Sequence, residues 1–341
     1  MKKSAVIFGA GAYWLLSSER LREQYNVVAL LDNDASKRGT VVGGLAVAGP
    51  DEIGKLDCDI VVVTPIKFFD VILQLHGLGV PDEKFRSYVP GVSFFARGGA
   101  VEAVKDSVRL RLTQTYDSHV WSETFLSEVY GGFFGENATV IDIGMNIGDA
   151  ALFMANMDWV GKVFAFEPFP VYEQAIGNIA LNPRLSKKIA AFNYGITGGK
   201  SGREENLFYD PAASIASTVY TRADSGGIAV DMANATEALA PIVSEARAGR
   251  SPILLKVDAE GSEFGILRDL HRSGLLRGID TILMEVHLYR EPGGLRELQG
   301  ILRQSGFRYS YNPSPSHLHG LLFAFNAGGD SPMGRPPQAT A

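Results

Sequence analysis

The stretch VIDIGMNIGDAALFMA, residues 140–155, decides the fold of this chain. A short apolar run ends at Gly144, and an apolar pattern with helical spacing begins after Gly148. Strand, glycine turn and helix in this order are typical of nucleotide-binding α/β folds, where a ligand approaches the amides at the start of the helix. A second stretch, SAVIFGAGA at residues 4–12, repeats the arrangement. The sequence therefore predicts two α/β units in series, each with a mostly parallel sheet.

The bulk composition agrees with two globular units. The 341 residues exceed the length of one ordinary domain, and a net charge of -6 gives no electrostatic reason to bind nucleic acid. The single cysteine, Cys58, excludes an intrachain disulfide, and glycines interrupt the first apolar run before it reaches the length of a signal peptide core. We therefore expect a cytoplasmic protein with no membrane span and no nucleic-acid partner. The sequence does not indicate the oligomeric state.

Repeating strand and helix patterns set the predicted boundaries. Residues 1–97 are predicted to form a small Rossmann-like α/β domain, residues 98–136 a helical connector, and residues 137–326 a second α/β domain. Near the end of the second domain, two β-rich runs flank a turn of Pro and Ser, which predicts an antiparallel hairpin at the sheet edge. Residues 327–341 are rich in Gly and Pro, so we expect a disordered tail.

The glycine turn differs from that of a dinucleotide site. Where the G-x-G-x-x-G pattern requires its second and third glycines, this chain has Asn146 and Asp149. The strand VFAFEP ends in Glu167, 23 residues after Gly144, where a carboxylate accepts hydrogen bonds from ribose hydroxyls. S-adenosylmethionine has a ribose and an ammonium but no phosphate, and the Asp142 or Asp149 carboxylate suits that ammonium. The residues favour this cofactor over NAD, and a purely structural glycine turn is the alternative.

Two later strands carry candidate catalytic residues. In LLKVDAEG the alternation of a strand puts Lys256 and Asp258 on one face, and in ILMEVH it puts Glu285 and His287 on one face. If the strands are neighbours, the spacing predicts a Lys256–Glu285 pair and an Asp258–His287 pair at the carboxyl edge of the sheet. Methylation of a hydroxyl requires loss of its proton, and a neutral imidazole with a pKa of about 6.5 suits that step. We therefore predict that His287 is the general base.

Several roles stay open for the acids beside it. Asp258 can orient the His287 ring, contact the substrate hydroxyl, or bind a divalent metal together with Glu260 or Glu263. Both glutamates also fall at the start of a predicted helix, where acids interact favourably with the helix dipole. His287 can equally be an ordinary histidine at a strand end. The sequence alone assigns no metal ligand.

Four segments together resemble the FkbM family of methyltransferases. VIDIGMNIGDAALFMA, VFAFEPFPVYEQAIGNIALNP, LLKVDAEGSEFGIL and ILMEVH occur in the family's order, from Val140 to His287. The resemblance implies a class I methyltransferase fold that follows a second, small Rossmann-like domain. It also implies S-adenosylmethionine-dependent O-methylation of a sugar, surface glycan or polyketide-type acceptor. The resemblance places Asp142, Gly144, Asn146 and Gly148 in the cofactor loop. It places Glu167 at the ribose, and Gly195 and Ile196 against the adenine.

The first unit suggests two competing functions. Trp14 stands where a dinucleotide site has its third glycine, which argues against NAD, yet Asp32 ends the second strand within reach of a ribose hydroxyl. This unit resembles the small Rossmann-like domain that precedes sugar acyltransferase domains and accompanies some FkbM proteins. The resemblance favours a site for a nucleotide sugar or for the substrate, and a scaffold that only orients the second unit is the alternative. The alternatives to a methyltransferase are therefore a nucleotide-sugar oxidoreductase and a non-catalytic protein that binds nucleotide sugars.

Overall fold

The structure, a computed structural model, describes residues 1–132, 135–210 and 227–327, without the side chains of residues 205 and 206. The chain divides into two units, Met1–Val129 and Tyr130–Ala341. In the described ranges, no helix is both long enough and apolar enough to cross a bilayer.

A Rossmann-like α/β arrangement forms the start of the first unit, as predicted. The strands of its main sheet are β1 (Ser4–Phe8), β2 (Asn26–Leu31), β3 (Val41–Val42), β4 (Leu45–Ala48), β5 (Ile60–Val63) and β6 (Phe85–Ser87). The helices are α1 (Ala12–Gln24) and α2 (Phe69–Gly77). The strand order is β3-β4-β2-β1-β5-β6, and every neighbouring pair except β3 with β4 is parallel. Trp14 of α1 is fully buried in the apolar core of this unit.

A second, antiparallel sheet completes the first unit. It consists of β7 (Val92–Arg97), β8 (Ala100–Lys105) and β9 (Val108–Leu112), and α3 (Thr115–Phe125) follows it. The predicted helical connector over residues 98–136 is therefore wrong from Ala100 to Leu112. The predicted end of the unit at residue 97 is also too early, because these strands and α3 belong to the unit that ends at Val129.

The error in the connector has a clear physical cause. Burial alternates along β9, whose valine and leucines are buried and whose two arginines are exposed, so the period is that of a strand. Asp106 and Ser107 link β8 to β9 with φ angles of 51° and 69°. Two consecutive residues with positive φ form the tight turn that matches the twist of a hairpin.

The second unit has the strands β10 (Ala138–Ile143), β11 (Val160–Phe166), β12 (Ile189–Phe192), β13 (Gly195–Thr197), β14 (Gly202–Leu207), β15 (Ile228–Asn234), β16 (Ile253–Val257), β17 (Thr281–His287), β18 (Phe307–Pro313) and β19 (His319–Asn326). Its helices are α4 (Asp149–Asn156), α5 (Tyr172–Ala180), α6 (Ala235–Ala248), α7 (Glu263–Arg272) and α8 (Gly294–Gln304). The main sheet has the order β12-β11-β10-β16-β17-β19-β18, and a small sheet has the order β13-β15-β14.

The main sheet has the topology of a class I methyltransferase. Its first five strands in this order are parallel, and β19 runs antiparallel to both β17 and β18. The terminal antiparallel hairpin is therefore confirmed. Apolar side chains of α7, including Phe264 and Leu267, pack with those of β16 and β17 in one buried cluster. The predicted disordered tail lies outside the described residues after Ala327.

Parallel order brings the ends of the central strands together. Ile143, Phe166, Val257 and His287 are the last residues of β10, β11, β16 and β17. The loops that follow these residues therefore share one edge of the sheet, which is where open α/β sheets bind ligands.

Candidate active site

The turn after β10 requires glycine at two positions. Gly144 and Gly148 both have a φ of 84°, a conformation that glycine adopts without strain. A Cβ on Gly144 would lie 1.8 Å from the carbonyl oxygen of Asp258. Only glycine at this position lets the loop after β16 approach the loop after β10 so closely.

Glu167 follows β11, and the backbone fixes its carboxylate. Oε2 accepts a hydrogen bond from the amide of Asn146 at 2.9 Å, and Oε1 accepts one from the amide of Phe169 at 3.0 Å. Burial raises the pKa of Glu167 to about 7, although the two amides oppose the rise. Each oxygen keeps further acceptor capacity for a ligand.

A cleft of about 630 Å³ lies at this edge of the sheet. The residues predicted from the sequence that line it are Gly144, Asn146, Glu167, Gly195, Ile196 and Asp258. Sequence reasoning missed Phe169 and Met232, which add apolar surface to the wall. Phe169 lies within the quoted segment VFAFEPFPVYEQAIGNIALNP, but nothing in the spacing distinguishes it from the other apolar residues there. Met232 comes from β15 of the small sheet, outside the quoted segments.

Other predicted cofactor residues lie around the turn and not in the lining of the cleft. Gly148 precedes α4 and packs against Ala175 of α5. Asp149 is the first residue of α4 and is buried. Asp142 is fully buried in β10, below the turn.

Asp142 instead forms a buried ion pair with Lys256. The two residues face each other across β10 and β16, and Nζ lies 3.0 Å from Oδ1. Nζ also donates a hydrogen bond to the carbonyl of Gly144 at 2.6 Å. Burial lowers the pKa of Lys256, whereas the charges of Asp142 and, to a smaller extent, Tyr130 raise it. The nearby charges have the larger effect, so the pKa of Lys256 lies well above its usual value. Burial raises the pKa of Asp142 despite Lys256.

The predicted pair of Lys256 with Glu285 is wrong. The strands β16 and β17 are neighbours as expected, but Lys256 lies opposite Leu283. Alternation along a strand fixes the face of each side chain and leaves the offset between two strands open.

His287, at the end of β17, is held by Glu263. Oε1 of Glu263 accepts the backbone N–H of His287 at 2.7 Å and lies 3.0 Å from Nδ1 of the ring. Its Oε2 accepts the amide of Gly261 at 2.7 Å. Asp258 has a ligand atom within 4.8 Å of His287, so the two are brought together as expected, but Glu263 is the residue that orients the ring.

The charge of His287 differs from the expectation. Burial opposes a charged ring, but the hydrogen bond with Glu263 and the charges of Glu260 and Glu263 raise the pKa of His287 to about 10. The prediction of a neutral imidazole near its ordinary pKa is therefore wrong for this structure. The sequence does not indicate this effect, because the position of Glu263 predicts only an acid at the start of a helix. A catalytic role for His287 stays a prediction.

Glu260 lies between the cleft and the His287 ring. Its Oε2 accepts a hydrogen bond from the hydroxyl of Tyr289 at 3.0 Å and lies 3.6 Å from Nε2 of His287. Burial raises the pKa of Glu260 to about 7, against the effect of His287. Its φ of 48° is unusual for a residue with a side chain. Like Asp258, it lines the cleft.

Two known families match parts of this chain. The methyltransferase FkbM domain matches residues 142–309, and the family described as C2185-like, N-terminal, matches residues 1–85. The first match contains the cleft, and the second lies within the first unit.

Individual proteins are similar at lower identity. AMB antimetabolite synthetase AmbE of Pseudomonas aeruginosa is 27% identical over 241 residues, which are 59% of this chain and 11% of that protein. Methyltransferase sdnD of Sordaria araneosa is 27% identical over 216 residues, which are 55% of this chain and 81% of that protein. The solved methyltransferase FkbM from Methylobacillus flagellatus KT covers 95% of this chain and 90% of its own, with 15% identity and a TM-score of 0.40. The second unit therefore carries a methyltransferase FkbM domain over residues 142–309, in a sheet with the strand order of a class I methyltransferase.

Proposed function

We propose that this methyltransferase binds S-adenosylmethionine in the cleft beside Gly144 and Glu167 and transfers its methyl group to a hydroxyl oxygen. The Glu167 carboxylate carries the proposal. Two backbone amides hold it in one orientation, and it lines the cleft from the strand end where a ribose is bound in related folds.

The other residues of the cleft fit this cofactor. Ile196, Met232 and Phe169 offer an apolar wall for the adenine. A Cβ on Gly195 would lie 2.4 Å from Sδ of Met232, so the glycine keeps that wall closely packed. When bound, the cofactor supplies a methyl group on a positively charged sulfur. The carboxylates of Asp258 and Glu260 line the same cleft, and their charge favours a cation there.

We place the acceptor hydroxyl beside Asp258 and His287. The Asp258 side chain is 28% exposed and lines the cleft, so its carboxylate is available to accept a hydrogen bond from a hydroxyl. The His287 ring is 5% exposed and is held by Glu263, and its Nε2 faces Glu260. The two residues therefore approach the same space from neighbouring strands.

The proposed acceptor is a sugar, a surface glycan or a polyketide-type molecule. One similar protein is named an antimetabolite synthetase and another a methyltransferase, which supports an acceptor of the natural-product kind. The acids at the cleft and the net charge of -6 make a phosphate-rich acceptor unfavourable.

Ligand binding separates this function from its alternatives. We expect S-adenosylhomocysteine, and not NAD or a nucleotide sugar, to bind the full chain in calorimetry. NAD binding in its place would favour an oxidoreductase, and nucleotide-sugar binding without any turnover would favour a binding protein. Methyl transfer to a panel of sugars, glycolipids and polyketides, detected by mass spectrometry, would then identify the acceptor.

A further inference from the structure

Three side chains from two strand ends converge beside the cleft. Asp258 and Glu260 lie in the loop after β16, and His287 ends β17. One ligand atom from each lies within 4.8 Å of the ligand atoms of the other two. Nε2 of His287 lies 3.6 Å from Oε2 of Glu260. That spacing leaves room for a cation between the groups after small side-chain movements.

The His287 ring has the orientation of a metal ligand, and a cation bound at Nε2 would displace the proton that the ring carries without metal. Glu263, whose side chain is fully buried, occupies Nδ1 and leaves Nε2 facing Glu260 and Glu285 at 3.6 Å and 3.9 Å. Both separations are longer than a hydrogen bond. Within residues 1–132, 135–210 and 227–327, Nε2 of His287 takes part in no hydrogen bond. A carboxylate on one ring nitrogen, with the other nitrogen directed at further ligands, is the usual arrangement around metal-binding histidines.

Negative charge is concentrated at this point. Glu260, Glu263 and Glu285 all lie within 4.0 Å of the nitrogens of one histidine ring. Lys256 lies 3.0 Å from Asp142 and 4.0 Å from Asp258, so its charge is shared between two acids and offsets only part of this negative charge. Carboxylates this close repel one another, and a bound cation would offset the repulsion.

We propose that Asp258, Glu260 and His287 bind a divalent cation, and that this cation takes the acceptor hydroxyl as a further ligand. Two carboxylates and one imidazole, without a thiolate, suit Mn²⁺, because Mg²⁺ prefers oxygen ligands alone. Three protein ligands leave positions open in the octahedral shell that Mn²⁺ prefers. Because Asp258 and Glu260 also line the cleft, the cation would lie next to the proposed methyl donor.

This inference rests on the proposed function for its chemical step. A cation lowers the pKa of a bound hydroxyl, so the hydroxyl releases its proton to water. The oxygen then forms a bond to the methyl carbon as the bond from that carbon to sulfur breaks, and the sulfonium becomes a neutral thioether. His287 is then a ligand and not the general base that the sequence suggested.

Manganese binding tests the site without an acceptor and without the methyl donor. We expect the full chain to bind one Mn²⁺, measured by electron paramagnetic resonance titration and by calorimetry. Glu260→Gln should lower the affinity for Mn²⁺ at least about tenfold. Removing a residue that only hydrogen-bonds to a metal ligand already costs about tenfold, and Glu260 is proposed as a direct ligand. Asp258→Asn, at a partly exposed position, should do the same. Glu245→Gln, at an exposed acid paired with Lys162, is the control and should not change the affinity.

Spin-echo spectra add a signature of the ligand itself. Mn²⁺ bound by His287 should show coupling to a ring nitrogen, and His287→Gln should remove that coupling. No Mn²⁺ binding at millimolar concentration, or equal binding in the wild type and in the Glu260 and Asp258 variants, would overturn the proposal. An unchanged circular dichroism spectrum and melting temperature identify folded variants. Binding of S-adenosylhomocysteine by the wild type, measured separately, distinguishes a failed metal site from a failed cofactor site.

Discussion

Lys256 and Asp142 face each other across β16 and β10, with Nζ 3.0 Å from Oδ1 and both side chains buried. The pair connects the two central strands below the glycine turn, because Nζ also bonds the carbonyl of Gly144. It holds the loop that lines the cleft without entering the cleft itself.

Breaking this pair should destabilise the second unit. Lys256→Met leaves the Asp142 carboxyl buried without its cation, which costs about 3 to 5 kcal/mol of unfolding free energy. Urea denaturation should show this loss. Adding Asp142→Asn to the Lys256→Met variant should restore part of the lost unfolding free energy, because the uncompensated buried charge is then removed. A double variant as unstable as the sum of the two single variants would mean that the two residues do not interact.

Glu263 should contribute to stability as well as to the position of His287. Glu263→Ala removes the acceptor of three donors, including the backbone amides of Gly261 and His287. Because unsatisfied buried donors cost about 1 to 3 kcal/mol each, we expect a loss of about 2 to 4 kcal/mol in chemical denaturation after partial relaxation. Glu263→Gln keeps one accepting oxygen and should lose less. Glu173→Ala, at an exposed residue of α5, is the control, and an equal loss there would refute the role of Glu263.

Cofactor affinity should rise with pH. The pKa of Glu167 is raised to about 7 by burial, so the carboxyl is largely protonated below that value. The ribose hydroxyls need an ionised acceptor, so binding below pH 7 must release a proton. We expect S-adenosylhomocysteine to bind more tightly as the pH rises from 6 to 8, and the gain should level off above about 8. Calorimetry in buffers of different ionisation enthalpy should detect the released proton at pH 6, and a flat profile would count against this assignment.

The first unit should not bind NAD. Trp14 is fully buried at the position of the third glycine, which leaves no close approach for a pyrophosphate. The Asp32 carboxylate already accepts the amide of Ala10 at 2.8 Å and pairs with Lys37 at 2.9 Å. We therefore expect no thermal shift of the full chain at millimolar NAD, whereas S-adenosylhomocysteine should give one. A saturable shift with NAD would reverse this conclusion.

Local signals account for what the sequence predicted well. The turn from Gly144 to Gly148 and the acid that follows β11 are set by residues close in the chain, so the sequence pattern predicts their positions. The adjacency of β16 and β17 and the terminal antiparallel hairpin were also predicted from local patterns. Gly195 and Ile196 were placed by resemblance alone, and the structure puts both in the wall of the cleft.

Interactions across strands account for what the sequence could not give. The offset between β16 and β17 depends on packing along the whole sheet, and it moved Lys256 away from Glu285. Glu263 reaches His287 only because α7 begins next to the end of β17. The β8 and β9 hairpin was mistaken for a helix because the short valine and leucine runs fit both periods.

The affinity of Glu167 variants for S-adenosylhomocysteine is the decisive measurement for the proposed cofactor site. Loss of a charge-assisted contact to the ribose should cost Glu167→Ala about 2 to 3 kcal/mol, or roughly 30-fold to 150-fold in Kd at neutral pH. Glu173→Ala should bind like the wild type. If Glu167→Ala is folded and its Kd stays within about twofold of the wild-type value, Glu167 does not bind the ribose and the cleft is not the cofactor site.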